Sequence, residues 1–224
     1  WTKGVPAHRT RLLPNWVDCQ VIFPQDAPNP YRQQWGISPD QILVLYAGSM
    51  GEKQGLELVL EAAHRLLGDP TIHFVICGEG SARSRLETQA AGLTNVRFAP
   101  LQPAEALNDL LNAADIHLLV QRSHAADLVM PSKLSGMLGS GKPVIATAEP
   151  DTELARVMRQ VGLLIPPGDL DAICHAIQQL ACQPELRRDL GSQGRRYALE
   201  HCDQQPILER LEAALRQLVQ EHTA

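Results

Sequence analysis

Six short apolar segments alternate with amphipathic segments along the chain, and this alternation constrains the fold more than any other feature. The apolar segments are rich in Val, Ile and Leu, and they lie at 41–47, 72–77, 96–99, 116–120, 144–146 and 162–165. Most are continuous runs, which is typical of parallel strands buried on both faces. The sequence therefore predicts an α/β fold, a doubly wound Rossmann-like parallel sheet of about six strands.

Helical periodicity fills the gaps between these segments, with apolar residues at i, i+3 and i+4 spacing. The predicted helices lie at 55–67, 82–91, 105–114, 132–140, 152–159 and 170–181. After Pro184 only helical periodicity remains, and we expect it to be broken near Gly191–Gly194 and again at Pro206. Two or three C-terminal helices are therefore expected to cover an edge or face of the sheet.

The Pro- and Asn-rich stretch 25–38 is the best candidate for a domain boundary. We expect residues 1–38 to be a lead-in segment and residues 39–224 to form one domain. The chain begins at Trp1 without an initiator Met or a signal-peptide pattern, so a fragment of a longer protein is expected.

Composition excludes several classes of protein. Hydrophobic residues make up 44% and charged residues 20% of the chain, values that argue against disorder and coiled coils. No apolar run reaches the roughly 18 residues that span a bilayer. The net charge of -5 argues against a general nucleic-acid binder. The five cysteines are odd in number and lack C-x-x-C spacing, which indicates a reducing compartment rather than a disulfide framework.

Ligands of open parallel sheets bind beyond the carboxyl ends of the strands, so the loops that follow the strands are the candidate site. The first loop contains Gly48, Gly51 and Lys53, but it matches neither a Walker A motif nor G-x-G-x-x-G. The second has the G-x-G turn of Gly78 and Gly80. Each pattern can bind a phosphate or simply form a tight turn.

The loop after the fourth strand is long and polar, and it ends in Pro131-Ser132-Lys133 at a predicted helix start, a geometry suited to anions. His124 and Asp127 in this loop could do acid–base chemistry or could simply be solvated. We find no paired metal ligands in the sequence.

Lysine usage favours a phosphorylated ligand. Of 20 basic residues, 16 are arginines and only four are lysines, namely Lys3, Lys53, Lys133 and Lys142. Two of the four fall in candidate phosphate loops, where a compact point charge suits a phosphate, although chance placement would give the same pattern.

Several segments in fixed order resemble the C-terminal half of family-4 glycosyltransferases, most closely the exopolysaccharide and colanic-acid type. These segments are "VLYAGSMGEKQGLELVLEAAHRL", "FVICGEGSARSRLE", "NVRFAPLQPAEALNDLLNAADIHLL", "MPSKLSGMLGSGKPVIAT" and "GLLIPPGD". The opening "LLPNWVDCQVIFP" resembles the hinge strand that enters that half. The resemblance implies one half of a two-domain GT-B enzyme, whose absent N-terminal domain would bind the acceptor.

The resemblance also implies an activity and a set of site residues. The expected reaction is transfer of a sugar, with retention, from a nucleoside diphosphate sugar (UDP-linked) to a polysaccharide or lipid-linked acceptor. Lys53 would neutralise the diphosphate leaving group, and no metal or cofactor is implied. The residues expected to contact the donor are Gly48, Ser49, Gly51, Gly78, Gly80, Leu101, Asp127, Met130, Pro131, Ser132 and Lys133.

Two departures from the common family pattern alter the expected donor contacts. Ser49 stands where the family has an Arg, and Leu128 and Gly136 stand where it has two glutamates. We expect Pro131-Ser132-Lys133 to replace the glutamate pair as the donor clamp and Asp127 to face the donor sugar.

Other readings of the sequence remain open. A nicotinamide-binding dehydrogenase half would share the fold, but the G-x-G-x-x-G motif and the ribose carboxylate that it needs are both missing. A non-catalytic nucleotide-binding or interaction module and a GT-B sugar-nucleotide epimerase half are the alternatives. We expect no nucleic-acid partner, no transmembrane segment and a cytoplasmic location, with the full-length protein peripheral at the inner membrane.

Overall fold

The structure is a computed structural model that describes residues 10–123 and 130–223. A single six-stranded sheet runs through it in the order β3-β2-β1-β4-β5-β6, with every pairing parallel. The strands are β1 Ile42–Ala47, β2 Ile72–Cys77, β3 Val96–Ala99, β4 Ile116–Leu119, β5 Val144–Thr147 and β6 Leu163–Ile165. The doubly wound, Rossmann-like sheet predicted from the apolar runs is confirmed.

The order of the strands reverses between β1 and β4. On one side β1 pairs with β2 from Ile42↔Ile72 to Ala47↔Cys77, and on the other it pairs with β4 at Val44↔Ile116. Chain connections leave this point in opposite directions, so a crevice opens beyond the carboxyl ends of β1 and β4.

Helices cover both faces of the sheet. They are α1 Pro30–Trp35, α2 Glu57–Arg65, α3 Arg83–Gln89, α4 Leu107–Ala113, α5 Lys133–Gly139, α6 Glu153–Val161, α7 Leu170–Cys182, α8 Pro184–Tyr197 and α9 Gln204–Thr223. Short 3₁₀ turns at Glu52–Gln54 and Ala104–Ala106 and a π-helical segment at Ala198–Cys202 complete the helical structure. Within the described ranges, no helix has both the length and the apolar character needed to cross a membrane.

Helix α1 lies in the Pro- and Asn-rich stretch and was not predicted. It has only six residues, too few to show helical periodicity, and local signals define it instead. The Asn29 side chain accepts hydrogen bonds from the N–H groups of Tyr31 and Arg32, Pro30 occupies the first turn, and Gly36 ends the helix with φ of 68°. Its buried Tyr31 and Trp35 pack in the core that α4 also covers.

Successive residues of β1 face opposite cores. Val44 and Tyr46 point into the core under α2 and α7, whereas Leu43 and Leu45 point into the core under α1 and α4. A further cluster under α5 and α6 extends that second face. Burial on both faces explains why most of the strands are continuous apolar runs, because every buried position contributes transfer free energy.

Two glycines of α8 are helical, so the predicted break near Gly191–Gly194 is wrong. A Cβ at Gly191 would lie 2.1 Å from the carbonyl oxygen of Gly141, and one at Gly194 would lie 3.0 Å from Leu138. These glycines therefore let α8 approach the end of α5 closely. The interruption instead lies at the π-helical segment, and Pro206 sits in the first turn of α9.

The segment before α1 is tied to the C-terminal helices. Val17 forms an isolated parallel bridge with Asp203. The Arg195 guanidinium donates to the carbonyl oxygens of Cys19 and Ile22 at 2.9 and 2.7 Å and also to that of Gly139 at 2.9 Å. One α8 side chain thus fixes the lead-in segment against the end of α5.

Candidate functional site

Two glycine-containing loops lie back to back at the carboxyl ends of β1 and β2. The N–H of Gly48 donates to the carbonyl oxygen of Cys77 at 2.9 Å, and the N–H of Met50 donates to the carbonyl oxygen of Glu79 at 2.8 Å. A Cβ at Gly78 would lie 1.9 Å from the oxygen of Gly48, and one at Gly80 would lie 2.4 Å from that of Met50. The G-x-G turn therefore lets the second loop support the first from behind, and donor contact by Gly78 and Gly80 stays a prediction.

Lys133 reaches across the crevice to the end of β1. It is the first residue of α5, and its ammonium Nζ donates a hydrogen bond of 2.9 Å to the Tyr46 hydroxyl. Nζ also lies 4.2 Å from the centroid of the Tyr46 ring, within cation–π range. A Cβ at Gly48 would lie only 2.9 Å from Nζ. The structure thus brings the first glycine loop and the start of α5 together, and donor binding by these residues stays a prediction.

The Lys133 ammonium is largely shielded from water. Burial lowers the pKa of Lys133 to about 8, and burial also raises the pKa of the Tyr46 hydroxyl. With a pKa of about 8, the Lys133 amine is still mostly protonated at pH 7. Among the described residues, no carboxylate forms an ion pair with it. A half-buried cation without a counter-charge among the described residues is well placed to bind an anion.

A cleft of about 540 Å³ opens beside Lys133. Gly48, Leu101, Ser132 and Lys133 line it, so the structure brings four of the predicted donor residues together. Its remaining walls are largely apolar and come from α4, α5 and the lead-in segment. The Leu101 side chain is 68% exposed at the mouth. This volume and this mixture of apolar walls and a few polar groups are typical of small-ligand sites.

Lys53 does not line the cleft. It is exposed on the 3₁₀ turn that follows Gly51, and its carbonyl oxygen accepts the N–H of Arg122 at 3.0 Å. Ser49 is also exposed, and the N–H of Gly51 donates to Gln54 at 3.1 Å. The hydrogen bond between Arg122 and Lys53 joins the loops after β4 and β1, and the Lys53 side chain faces solvent.

The remaining predicted residues precede α5. The carbonyl oxygen of Met130 accepts a hydrogen bond of 2.8 Å from the Asn15 side chain, and that of Pro131 accepts the N–H of Leu134 at 3.1 Å. Their contribution to ligand binding therefore stays a prediction. His124, Asp127 and Leu128 lie outside the described residues.

Sequence reasoning missed Arg122 and its carboxylate partners. The Arg122 guanidinium lies 3.1 Å from Glu57, and Arg85 pairs with both Glu52 and Glu57, at 2.9 and 2.6 Å. Burial raises the pKa of Glu57, but backbone and Arg hydrogen bonds outweigh it and lower the pKa overall. No motif marks these residues, because they come together only through folding.

Tyr46 was missed for a different reason. It is 0% exposed and is the last residue but one of a continuous apolar strand, where an aromatic residue is ordinarily part of the core. Its hydroxyl alone reaches the site. The available signal was a side chain with a hydroxyl group near the carboxyl end of a buried strand.

The site can hold a phosphorylated ligand. A lysine ammonium binds phosphate oxygens as a point charge, and the glycine loop lets a ligand approach the backbone closely. Within residues 10–123 and 130–223, no three His, Cys, Asp or Glu side chains are grouped so that they could hold a metal ion. The fold and the site together define a Rossmann-like domain with a cation at its switch point, the architecture of a GT-B half.

Comparison with known proteins identifies the family. The model of the family described as glycosyl transferases group 1 matches residues 29–197. The chain is also 37% identical over 214 residues to the putative colanic acid biosynthesis glycosyl transferase WcaI of Escherichia coli K12, covering 92% of this chain and 51% of WcaI. The chain therefore belongs to the group 1 glycosyl transferases. It spans about half the length of the curated relatives it matches.

Solved structures confirm the fold. HepE of Anabaena, in complex with UDP and glucose, superimposes with a TM-score of 0.80 at 18% identity, covering 96% of this chain and 59% of HepE. WaaG, a glycosyltransferase of lipopolysaccharide biosynthesis, gives a TM-score of 0.71 at 23% identity, covering 92% of this chain and 56% of WaaG. The predicted relationship to GT-B glycosyltransferases is confirmed.

Proposed function

We propose that this chain is the donor-binding half of a glycosyltransferase that uses a nucleoside diphosphate sugar. The observation that carries the proposal is the Lys133 ammonium, which is half-buried beside Gly48 at the switch point of the sheet. A diphosphate bound there would supply the counter-charge that the described part of the protein does not provide. The desolvated surroundings would strengthen the attraction relative to a solvated pair.

The nucleotide is proposed to be UDP. Support comes from the resemblance to HepE, which was solved in complex with UDP and glucose. In this proposal the exposed Leu101 lies beside the base, and Ser132 and Lys133 lie beside the diphosphate, with Met130 and Pro131 positioning them.

Lys53 is proposed as the catalytic cation. As the glycosidic bond to the donor phosphate breaks, negative charge builds up on the departing diphosphate and must be stabilised. Lys53 on the exposed 3₁₀ turn and Lys133 in the cleft would both contribute positive charge to the diphosphate. Transfer with retention of configuration is part of the proposal, together with contact of Asp127 with the donor sugar.

The acceptor is proposed to be a polysaccharide or a lipid-linked sugar, bound through an N-terminal domain that precedes the hinge segment 1–38. Support comes from the colanic acid relative, of which residues 39–224 with the lead-in cover about half.

All five cysteines are free thiols, which supports a location in the cytoplasm.

The test is a donor screen on the full-length protein with a lipid-linked acceptor, comparing UDP- and GDP-sugars. Lys53→Ala is expected to lower kcat/KM roughly 10- to 150-fold, the value of a lost charge-assisted contact of ~1.5–3 kcal/mol. Arg188→Ala is the matched control, since this exposed cation on α8 pairs only with Glu185 among the described residues.

Residues 1–224 alone are expected to transfer nothing. No transfer from any sugar nucleotide by the full-length protein, or equal kinetics for Lys53→Ala and the wild type, would contradict the proposed function. Turnover by residues 1–224 alone would contradict the assignment of the acceptor site to another domain.

A further inference from the structure

We propose that Tyr46 is a positioning residue, whose hydroxyl is anchored on the loop after β1 and holds the Lys133 ammonium in the cleft. The inference rests on the proposed function, in which Lys133 binds the diphosphate of the donor. It adds Tyr46, which was not among the donor-contacting residues expected from the sequence.

The hydrogen-bond roles at the Tyr46 hydroxyl are fixed by chemistry. An ammonium has three N–H donors and no acceptor, so the hydroxyl oxygen must accept from Lys133, at 2.9 Å. The single hydroxyl proton is then donated to the carbonyl oxygen of Ser49, at 2.5 Å. One hydroxyl thus links the first residue of α5 to the loop after β1.

The link leaves the ammonium available to a ligand. Only one of its three N–H groups is used by Tyr46, and the other two can donate to phosphate oxygens. The Tyr46 ring, 4.2 Å from Nζ, favours the charged form of the amine, which burial disfavours. Tyr46 therefore both aims the amine and helps to keep it charged.

A purely structural role would need only the ring. Tyr46 is 0% exposed among apolar side chains such as Phe74 and Ile76, and a phenylalanine would fill the same volume. The hydroxyl costs desolvation free energy in such a place unless it is fully hydrogen-bonded. Its two partners are the amine and the loop carbonyl of the site, so the hydroxyl acts on the site and not on the core.

A double-mutant cycle on UDP affinity tests the inference. Tyr46→Phe is expected to weaken UDP about 10-fold, the loss of one hydrogen bond to a charged group. Lys133→Met is expected to weaken UDP by a similar or larger factor. In the Lys133→Met background, Tyr46→Phe should have less than about a twofold further effect, because the group it positions is gone.

Tyr197→Phe is the matched control, since this tyrosine lies on α8 and does not line the cleft. It is expected to leave UDP affinity unchanged in both backgrounds. Multiplicative losses for Tyr46→Phe and Lys133→Met would overturn the inference, because they would indicate that Tyr46 acts independently of Lys133.

A second measurement separates this inference from the proposed function. NMR titration of ¹³C-labelled lysine follows Lys133 without any ligand, and Tyr46→Phe is expected to move its midpoint. The pKa of Lys133 changes in either case. It falls if the amine stays buried without its hydrogen-bond acceptor, and it rises if the amine turns into solvent. An unchanged midpoint overturns the role of Tyr46, whereas failure of the wild type to bind UDP overturns the proposed function alone.

Discussion

Lys133 carries a cost to stability that the rest of the fold must offset. Burial lowers the pKa of its amine to about 8, so keeping it charged at neutral pH opposes folding. The unfolded chain binds the proton more tightly, and this cost is fully present below pH 8 and disappears as the pH rises toward the ordinary lysine value. A residue retained at such a cost is a candidate for function rather than for packing.

The same group makes UDP binding dependent on pH. A bound diphosphate favours the ammonium, so the pKa of Lys133 in the complex lies above the value of about 8 in the free site. As far as Lys133 is concerned, UDP affinity is therefore expected to be constant well below pH 8 and to fall as the pH rises through 8 toward the pKa of the complex. Calorimetry in buffers of different ionisation enthalpy should detect proton uptake in that window.

Lys133→Arg provides the control for this pH dependence. Arginine stays charged throughout the range, so any UDP binding by this variant should be flat across pH 8. A wild-type affinity that does not change between pH 7 and pH 10 would contradict the assignment of Lys133 to the diphosphate.

At the scale of elements, the sequence predicts what depends on local pattern and misses what depends on neighbours distant in the chain. All six strands were predictable from their apolar residues, and most of them are continuous apolar runs because they are buried on both faces. Helix α1 was not, because its six residues are too short for periodicity. The role of Gly191 was not predictable either, since the atom that demands a glycine belongs to Gly141.

Gly191→Ala is expected to destabilise the protein although alanine is the better helix former. Helix propensity alone would favour alanine by about 1 kcal/mol. The new Cβ would however lie 2.1 Å from the Gly141 carbonyl oxygen, which forces α8 away from the end of α5. We expect a loss of about 1–3 kcal/mol, the usual cost of overpacking, measured by urea denaturation.

Ser192→Ala is the control, because Ser192 is the next residue of α8 and is exposed. It should leave stability unchanged or raise it by a few tenths of a kcal/mol. Equal stability of Gly191→Ala and Ser192→Ala would mean that α8 does not pack against α5 as described.

At the scale of the whole molecule, the candidate site forms where loops from distant parts of the chain meet. The sequence located Gly48 and Lys133 because loops after parallel strands converge at one edge, and the family resemblance added Leu101. The structure places all three in one cleft. It could not find Tyr46, whose hydroxyl is the link between two of these loops. The described residues of this chain therefore bring together, in one cleft, the groups of the candidate anion site that we propose.

The most direct test of this account is a calorimetric titration of residues 1–224 with UDP at pH 7. We predict one UDP bound per chain, an affinity weakened roughly 10- to 150-fold in Lys133→Met by the loss of ~1.5–3 kcal/mol, and an unchanged affinity in Arg188→Ala. The account would be contradicted if the wild-type chain bound no UDP, or if Lys133→Met bound UDP as tightly as the wild type.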